Sequence, residues 1–426
     1  MGVINVLVFP AEGANAIELH DALSSCVNIK LFGASSVKRQ GYLVFENYIP
    51  NVPTIQDENF FDLFNPVLLS NKIDVVIPTH DSVVRFLSLN SDKLASKLLS
   101  ADSYTSEICR SKIKTYELFA DNSFAPRRIV KNDINIEFPL FAKPDTGQGA
   151  VGAVKINNSD ELRQIDFSSY LVTEYLSGEE YTVDCLTDNH GTLRYISPRT
   201  RTRTLGGISV SGHTLDIASE FLEIADIINK KLHFLGLWYF QLKRDNSGKL
   251  KLLEISARCA GSMSLTRAKG INLPLLSIYT AMGYDISVSD NGRNVSMEKM
   301  LTGVYNLNYE YDAAYIDFDD TIITNGKVNL NLIRFIYQAR NNNKKIYLIT
   351  KHIHDIYQSL RKYAISDLLF DDIIVLDEGS KKSDFIKHES AIFIDNAYKE
   401  RENVHNTCHI PVFDVDGVEF LLDRKY

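Results

Sequence analysis

The stretch FPLFAKPDTGQGAVGAVKI, residues 138–156, decides the fold of the middle of the chain. Its apolar run ends in Lys143, and Gly147, Gly149 and Gly152 follow closely. Glycine lets backbone amides approach phosphate oxygens, and the lysine adds a positive charge beside them. The pattern therefore predicts a strand that leads into a phosphate-binding hairpin. Taken alone, it also fits a simple hairpin turn.

Two later segments supply oxygen ligands that suit a divalent cation. Gln241 in YFQLK and Glu254 in LLEISAR lie at the ends of two strands that we expect to pair as a hairpin. An amide oxygen and a carboxylate at one site are the hard ligands that Mg²⁺ prefers. As isolated residues both also suit a polar surface, so the prediction depends on the order of the motifs.

In this order the motifs resemble the ATP-grasp superfamily, nearest its carbamoyl-phosphate-synthase and amino-acid-ligase branch, over residues 1 to about 305. The resemblance implies ATP and Mg²⁺ as cofactors and a glycine hairpin, residues 146–152, that closes over the nucleotide. It implies phosphate contacts from Lys112 and Lys143, adenine contacts from Glu174, Tyr175 and Leu176, a ribose contact from Glu180, Mg²⁺ ligation by Gln241, Glu254 and Ser256, and a catalytic role for Arg258. Ser256 stands where the family has asparagine, and a hydroxyl is a poorer metal ligand than a side-chain carbonyl.

The segment SPRTRTRTLGG carries three arginines at alternate positions: Arg199, Arg201 and Arg203. Alternate side chains of an extended segment point to the same side, so we expect the three on one face. Guanidinium groups match carboxylate and phosphate geometry. We expect some of them to bind the acyl substrate or its phosphorylated intermediate, and a solvated edge strand is the alternative.

A second candidate for phosphate chemistry begins at YIDFDDT. Asp317 follows a short apolar run, where an aspartate nucleophile at the carboxyl end of a buried parallel strand meets ligands. Asp319, two residues later, is placed to protonate a leaving oxygen and then activate water. An acidic strand end that merely leads into a turn is the alternative.

With three later residues, this motif resembles the haloacid dehalogenase superfamily of phosphatases over residues 310–426. The resemblance implies Asp317 as nucleophile, Asp319 as acid and base, Thr350 and Lys382 as phosphoryl contacts, and Asp395 with Asp317 as Mg²⁺ ligands. Lys381 is an alternative to Lys382, and Asn396 replaces the usual second acid after Asp395. Between Thr321 and Thr350 there is room for only a helix and a strand, so we expect no large cap domain.

The alternation of elements predicts a multidomain chain of mixed α/β and α+β class. Residues 1–105 read as an α/β layer with a parallel sheet, which the resemblance identifies as a pre-ATP-grasp domain. Residues 106–308 read as α+β, the expected ATP-grasp domain, with a lid subdomain at about 118–180. Residues 310–426 read as a separate, doubly wound parallel sheet.

Composition narrows the partners. The chain has 426 residues, 45% of them hydrophobic, and a formal net charge of -8, which argues against nucleic acid as a partner. Its five cysteines are scattered and odd in number, which fits a reducing compartment. No apolar run approaches the ~18 residues of a membrane span. We expect a cytoplasmic protein that acts on small molecules, with a homodimer left open.

These features predict a bifunctional enzyme. The first part is expected to ligate a carboxylate to an amine through an acyl phosphate, and the last part to hydrolyse a phosphorylated metabolite of the same pathway. One alternative is an ATP-dependent small-molecule kinase whose product the last domain hydrolyses. Another is a nucleotide-sensing scaffold without catalysis, which the departures at Ser256 and Asn396 keep open.

Overall fold

The computed structural model describes residues 2–131, 133–134, 136–147, 149 and 151–425. The chain forms two compact units: residues 1–302 with the last two residues, and residues 303–424. Among the described helices, none combines the length and apolar character needed to cross a bilayer.

The first unit begins with a parallel sheet whose strand order is β3-β2-β1-β4-β5. Its elements are β1 (Ile4–Phe9), α1 (Gly13–Leu23), β2 (Ile29–Ser35), α2 (Gly41–Val44), β3 (Asn47–Pro50), α3 (Phe60–Ser70), β4 (Val75–Pro78), α4 (Asp81–Leu89) and β5 (Lys97–Leu98). Strand β1 is buried on both faces, with Val6 and Val8 in one core cluster and Leu7 and Phe9 in another. Such a central strand needs a continuous apolar run, which INVLVF supplies.

Antiparallel sheets follow in the same unit. One has the order β6-β9-β7-β8, a second β11-β10-β14-β15 and a third β12-β13-β16. The elements are α5 (Ser103–Arg110), α6 (Lys112–Leu118), β6 (Arg128–Ile129), β7 (Leu140–Pro144), β8 (Val154–Ile156), α7 (Ser159–Arg163), β9 (Tyr170–Glu174), β10 (Glu180–Thr187), β11 (Leu193–Thr200), β12 (Arg203–Leu205), β13 (Ile208–His213), α8 (Ser219–Lys231), β14 (Gly236–Arg244), β15 (Leu250–Ser256), α9 (Ser264–Ala268), α10 (Leu273–Ala281) and β16 (Ser296–Glu298). Strand β7 ends the run that contains Lys143, and β14 and β15 carry Gln241 and Glu254.

The second unit is built on another parallel sheet, with the order β21-β20-β17-β22-β23. Its elements are β17 (Ala313–Ile316), β18 (Ile323–Thr324), β19 (Lys327–Val328), α11 (Leu330–Asn341), β20 (Lys345–Thr350), α12 (Ile356–Lys362), β21 (Asp372–Val375), β22 (Ala391–Ile394), α13 (Tyr398–Cys408) and β23 (Val412–Phe413). The chain reverses its direction of winding between β17 and β22, and ligands of doubly wound sheets bind at that point. The parallel sheets expected for the first and last regions are both present.

One element was missed by sequence reasoning. Between Thr321 and Thr350 the structure adds the short hairpin β18–β19 to the expected helix and strand. Its turn is Asn325–Gly326, and both residues have positive φ, 52° and 70°. Asn-Gly is the typical sequence of such a two-residue turn, so the signal was present but unused.

Candidate functional site

The cleft of the first unit is organised by a β-bulge. The expected hairpin of β14 and β15 is present, but Gln241 and Glu254 lie inside these strands rather than at their ends; they are directly opposite, and the next pair is Leu242 with Leu252. Leu253 is therefore an extra residue, and a bulge of this kind redirects the groups around it. The Leu253 carbonyl accepts a hydrogen bond from Lys143 Nζ at 2.7 Å.

Lys143 is buried without an ion-pair partner among the described residues. Its Nζ also donates to the Tyr116 hydroxyl at 3.1 Å, and no carboxylate of a described residue pairs with it. Burial, together with the nearby charge of Lys112, lowers the pKa of Lys143 to about 7, and Glu254 and Glu180 only partly oppose this. A buried lysine that lacks a counter-ion is stabilised by a bound anion, so the position suits a phosphate group.

Lys112 reaches the same cleft from the start of α6. Ser111 caps this helix by accepting a hydrogen bond from Lys114 N, and its hydroxyl also bonds to Asp145. Lys112 Nζ donates to the carbonyl oxygens of Gly147 at 3.1 Å and Asp145 at 3.4 Å. The lysine is thereby held against the glycine hairpin.

The cleft is a cavity of about 170 Å³ between these elements. The predicted residues that line it are Lys112, Lys143, Gly147, Gly149, Glu180, Arg201, Gln241 and Glu254. Gly152 lies outside the lining and packs against Pro144. The predicted hairpin residues Gln148 and Ala150 lie outside the described residues.

Gln241 and Glu254 face the cleft with free oxygen atoms. Within the described part of the chain, neither side chain has a hydrogen-bond or ion-pair partner. The described residues also contain no group of three or more His, Cys, Asp or Glu side chains suited to a metal. A Mg²⁺ ion here would take the two side-chain oxygens and complete its shell with phosphate and water oxygens, as this ion usually does.

Ser256 uses its hydroxyl elsewhere. The Ser256 hydroxyl donates to Asp81 Oδ1 at 2.8 Å. Arg258 donates to the same carboxylate, from Nε to Oδ1 at 2.8 Å and from Nη2 to Oδ2 at 2.9 Å. Burial acts to lower the pKa of Arg258, but Asp81 and Tyr239 raise it overall. Sequence reasoning missed Asp81, the first residue of α4, although it follows β4 at the switch point of a parallel sheet.

The three arginines do not share one face. Arg199 is fully buried, pairs with Asp184 and donates from Nε to Ser262 Oγ at 3.2 Å. Arg201 lies in the cleft, where it bonds Glu180 Oε1 at 2.6 Å and the Gly207 carbonyl at 2.9 Å. Arg203 is exposed on the next strand and pairs with Glu298 at 2.9 Å. The extended segment breaks after Thr200, so the alternation cannot continue through all three.

The predicted adenine residues, Glu174, Tyr175 and Leu176, are not among the described residues that line the cavity. Glu174 accepts a hydrogen bond from Arg127 N at 2.8 Å, which ties the end of β9 to β6. The ring of Tyr175 stacks under Lys155 Nζ at 4.4 Å, and Leu176 is buried. The side chains of Glu174 and Tyr175 thus already have protein partners, and the adenine role of this segment stays a prediction.

The glycine hairpin meets a second glycine loop. Gly149 lies against Gly206 and Gly207 in the turn between β12 and β13. A Cβ atom on Gly207 would lie 2.4 Å from Gly149 Cα, whereas one on Gly206 would meet no atom within 4 Å. The two loops border a further cavity of about 440 Å³, which Arg201, Arg258, Ser262 and Glu254 also line.

The second unit gathers its candidate site at the switch point of its sheet. Lys382 Nζ lies between Asp317 Oδ1 and Asp395 Oδ2, 2.6 Å from each, and all three side chains are buried. Burial raises the pKa of Asp317 to about 6 against the opposing charge of Lys382, and burial also raises the pKa of Asp395. Burial acts to lower the pKa of Lys382, but the two carboxylates raise it overall.

Two threonines complete this site. Thr350 ends β20 and is fully buried, and its hydroxyl has no hydrogen-bond partner among the described residues. Thr321 donates to Asp317 Oδ2 at 3.1 Å and accepts from Asn396 N at 3.1 Å. Thr350 thus leaves an unpaired buried hydroxyl at the end of the strand next to β17, where a polar partner would be expected, since buried polar atoms are seldom left unpaired.

Asp319 is more than half exposed and pairs with His352. Lys381, the alternative to Lys382, only precedes the short helix that carries Lys382, and it is Lys382 that contacts the two aspartates. Asp317 and Asp395 have the chemistry of Mg²⁺ ligands, but each oxygen of the pair already has a protein partner. Each of these oxygens keeps a second lone pair, through which it could also bind a metal ion.

Comparison with known proteins identifies part of the first unit. A family described as "ATP-grasp in the biosynthetic pathway with Ter operon" matches residues 166–302. No curated protein sequence matches the chain. Residues 166–302 therefore belong to an ATP-grasp domain.

Solved structures show the same fold at low identity. The biotin carboxylase domain dimer of Hydrogenobacter thermophilus 2-oxoglutarate carboxylase, in complex with MgADP, ADP and bicarbonate, aligns with 15% identity over 68% of this chain and 72% of its own, with a TM-score of 0.56. The Staphylococcus aureus N5-carboxyaminoimidazole synthetase, complexed with ADP, gives 15% identity, 67% and 79% coverage and a TM-score of 0.56. The Bacillus licheniformis L-amino acid ligase gives 17%, 66% and 75%, and 0.52. The expectation of ATP and Mg²⁺ agrees with the complexes of these neighbours.

Proposed function

We propose that residues 1–308 form an ATP-dependent ligase that joins a small carboxylic acid to an amine through an acyl phosphate, with ADP and phosphate as products. The observation that supports this most is Lys143, buried with no described ion-pair partner in a cleft that the unpaired oxygens of Gln241 and Glu254 also line. Such a site is short of both an anion and a cation, which a magnesium nucleotide supplies together.

Each residue has a part in this reaction. Lys112 and Lys143 would hold the phosphates, and Gln241 and Glu254 would hold a metal ion through their side-chain oxygens. Bound Mg²⁺ would neutralise charge as the terminal phosphate moves to the acid. Arg201 and Arg258 line the adjoining cavity and orient the anionic acid there, and Asp81 fixes Arg258 in place.

The test is incubation with ATP, Mg²⁺ and a panel of acids and amines, with ADP, AMP and phosphate followed by mass spectrometry. We expect acid-dependent ADP that disappears in Glu254→Ala, because the metal loses its carboxylate ligand. Formation of AMP and pyrophosphate would rule out an acyl phosphate. A phosphorylated acceptor without an amide product would favour the kinase.

We further propose that residues 310–426 form a Mg²⁺-dependent phosphatase that acts on a phosphate ester of the same pathway. The cluster of Asp317, Lys382 and Asp395 at one sheet edge, with the orphaned Thr350 hydroxyl, supports this proposal. Asp317 would attack phosphorus, and Thr350 and Lys382 would hold the phosphoryl oxygens. Release of phosphate from an ester panel, with and without a chelator, tests it.

A further inference from the structure

A three-residue chain of hydrogen bonds lies at the exposed edge of the second unit's site. His352 Nδ1 contacts Asp319 Oδ2 at 2.8 Å and Oδ1 at 3.0 Å, and His352 Nε2 contacts Ser359 Oγ at 2.8 Å. The imidazole is nearly buried, with 10% of its side chain exposed, whereas 55% of the Asp319 side chain is exposed. A largely buried imidazole therefore contacts a carboxylate that is mostly exposed.

The hydrogen-bond pattern fixes the orientation of the ring. A carboxyl group accepts hydrogen bonds through an oxygen that carries no proton, whether it is ionised or protonated on its other oxygen, so the ring proton lies on Nδ1 where it faces Asp319. In the neutral imidazole Nε2 then accepts from the Ser359 hydroxyl. Phe318 packs edge-on against the ring at a centroid distance of 5.1 Å and restricts its rotation further.

The chain positions of Asp319, His352 and Ser359 connect these hydrogen bonds to the residues of the proposed reaction. His352 follows Thr350, which ends β20, and Asp319 follows Asp317 after the neighbouring strand β17. Ser359 lies on α12, so the three hydrogen-bonded residues join a loop at the site to a packed helix. Nothing in the proposed roles of Asp317, Thr350, Lys382 and Asp395 requires a histidine here.

We infer that His352, itself held by Ser359, is a positioning residue that orients Asp319 for proton transfer to the leaving group of the phosphatase reaction. This inference rests on the proposed phosphatase function. In the first step a bond forms between an Asp317 oxygen and phosphorus as the bond from phosphorus to the ester oxygen breaks. The leaving oxygen takes its proton from Asp319, so the alcohol departs neutral.

The leaving group distinguishes this role from a merely structural one. An alkyl alkoxide needs the proton, whereas p-nitrophenolate is stable enough to leave without it. Misorientation of Asp319 should therefore reduce kcat/KM for an alkyl phosphate such as glycerol 2-phosphate and largely spare p-nitrophenyl phosphate. Because kcat/KM covers only the steps up to the phosphoenzyme, later hydrolysis does not obscure the comparison.

The experiment measures both esters with wild type, His352→Ala, His352→Asn, Ser359→Ala and the control His354→Ala. His354 is an exposed imidazole two residues away that meets the His352 ring edge-on at 5.7 Å but makes no described contact with Asp319, so it controls for loss of a neighbouring ring. For His352→Ala we expect a loss on the order of 10²-fold with the alkyl ester and less than about threefold with the aryl ester. His352→Asn keeps a donor near Nδ1 and should recover part of the loss, while Ser359→Ala should show a smaller loss of the same kind.

Two further results complete the test. In an Asp319→Asn background, His352→Ala should add no further loss, because the group that it positions is already absent. Equal losses on the two esters, or none, would overturn the inference while the phosphatase proposal stands. Wild-type activity no greater than that of Asp317→Asn would overturn both. Thermal melts of every variant identify any loss of activity that comes from unfolding. If His352→Ala does not fold, Ser359→Ala is compared with wild type in its place.

Discussion

The two candidate phosphate sites balance their buried charge in opposite ways. In the first unit, Lys143 has only a carbonyl and a hydroxyl as described hydrogen-bond partners. In the second, Lys382 is already neutralised by Asp317 and Asp395. The first site is thus prepared for an anion that brings its own metal, whereas a phosphate entering the second must compete with two carboxylates. A buried lysine is therefore evidence for a phosphate site only once the carboxylates that pair with it have been identified.

The largest expected effect comes from removal of the nucleophile of the second site. Asp317→Asn nearly preserves shape but cannot form the phosphoenzyme, so phosphatase turnover should fall at least ~10³-fold. ADP formation by the first site, assayed separately, should stay at the wild-type rate. Loss of both activities would show that the two sites are not independent, and the comparison between them would fail.

The arginines of the first site give the next largest effect. Arg201→Ala should raise the KM of the acid about 10- to 100-fold, since a hydrogen bond to a charged group contributes about 1.5–3 kcal/mol. Arg203→Ala is the matched control, because that side chain is exposed and should leave the kinetics within about twofold of wild type. Steady-state kinetics with the acid as the varied substrate make the measurement. Equal behaviour of the two variants would remove Arg201 from the binding role.

A smaller effect is expected where the two glycine loops touch. Gly207→Ala places a Cβ against Gly149, so we expect about a tenfold loss of ligase kcat/KM, or about 1.4 kcal/mol. Gly206→Ala carries a comparable positive-φ strain, at φ 55° against 78°, but its Cβ meets nothing. The Gly206→Ala variant should therefore lose much less ligase activity than Gly207→Ala. If the two variants lose activity equally, backbone strain alone explains the effect and the loop contact has no part in it.

The smallest expected effect is proton uptake by Lys143, which tests the charge balance of the first site directly. The pKa of Lys143 is about 7 in the free protein, and a bound polyphosphate should restore it towards ~10.5. Nucleotide binding at pH 8 should therefore take up about one proton, and at pH 6, where Lys143 is already charged, almost none. Calorimetry in buffers of different ionisation enthalpy measures this uptake. Lys143→Met is the control that subtracts protonation of the nucleotide itself, and an unchanged uptake in that variant would assign the proton to another group.

Much of the fold followed from local pattern. The apolar runs at β1 and β17 are buried on both faces, and a continuous apolar run is enough to predict a central parallel strand. The β14–β15 hairpin also followed from the sequence, whereas the bulge at Leu253 and the direct opposition of Gln241 and Glu254 inside the two strands did not. The hairpin β18–β19 was missed although its Asn-Gly turn signals it.

The sequence by itself determined which residue types are available and where strands end, because side-chain periodicity and turn chemistry act over a few residues. Only the tertiary structure decided how those residues are paired. Asp81 meets Arg258 across 177 positions, and Lys143 meets the Leu253 carbonyl across 110. Three arginines at alternate positions became one core residue, one cleft residue and one surface residue. Charge balance depends on distances between chain segments that are remote in sequence, and packing of the whole unit sets those distances.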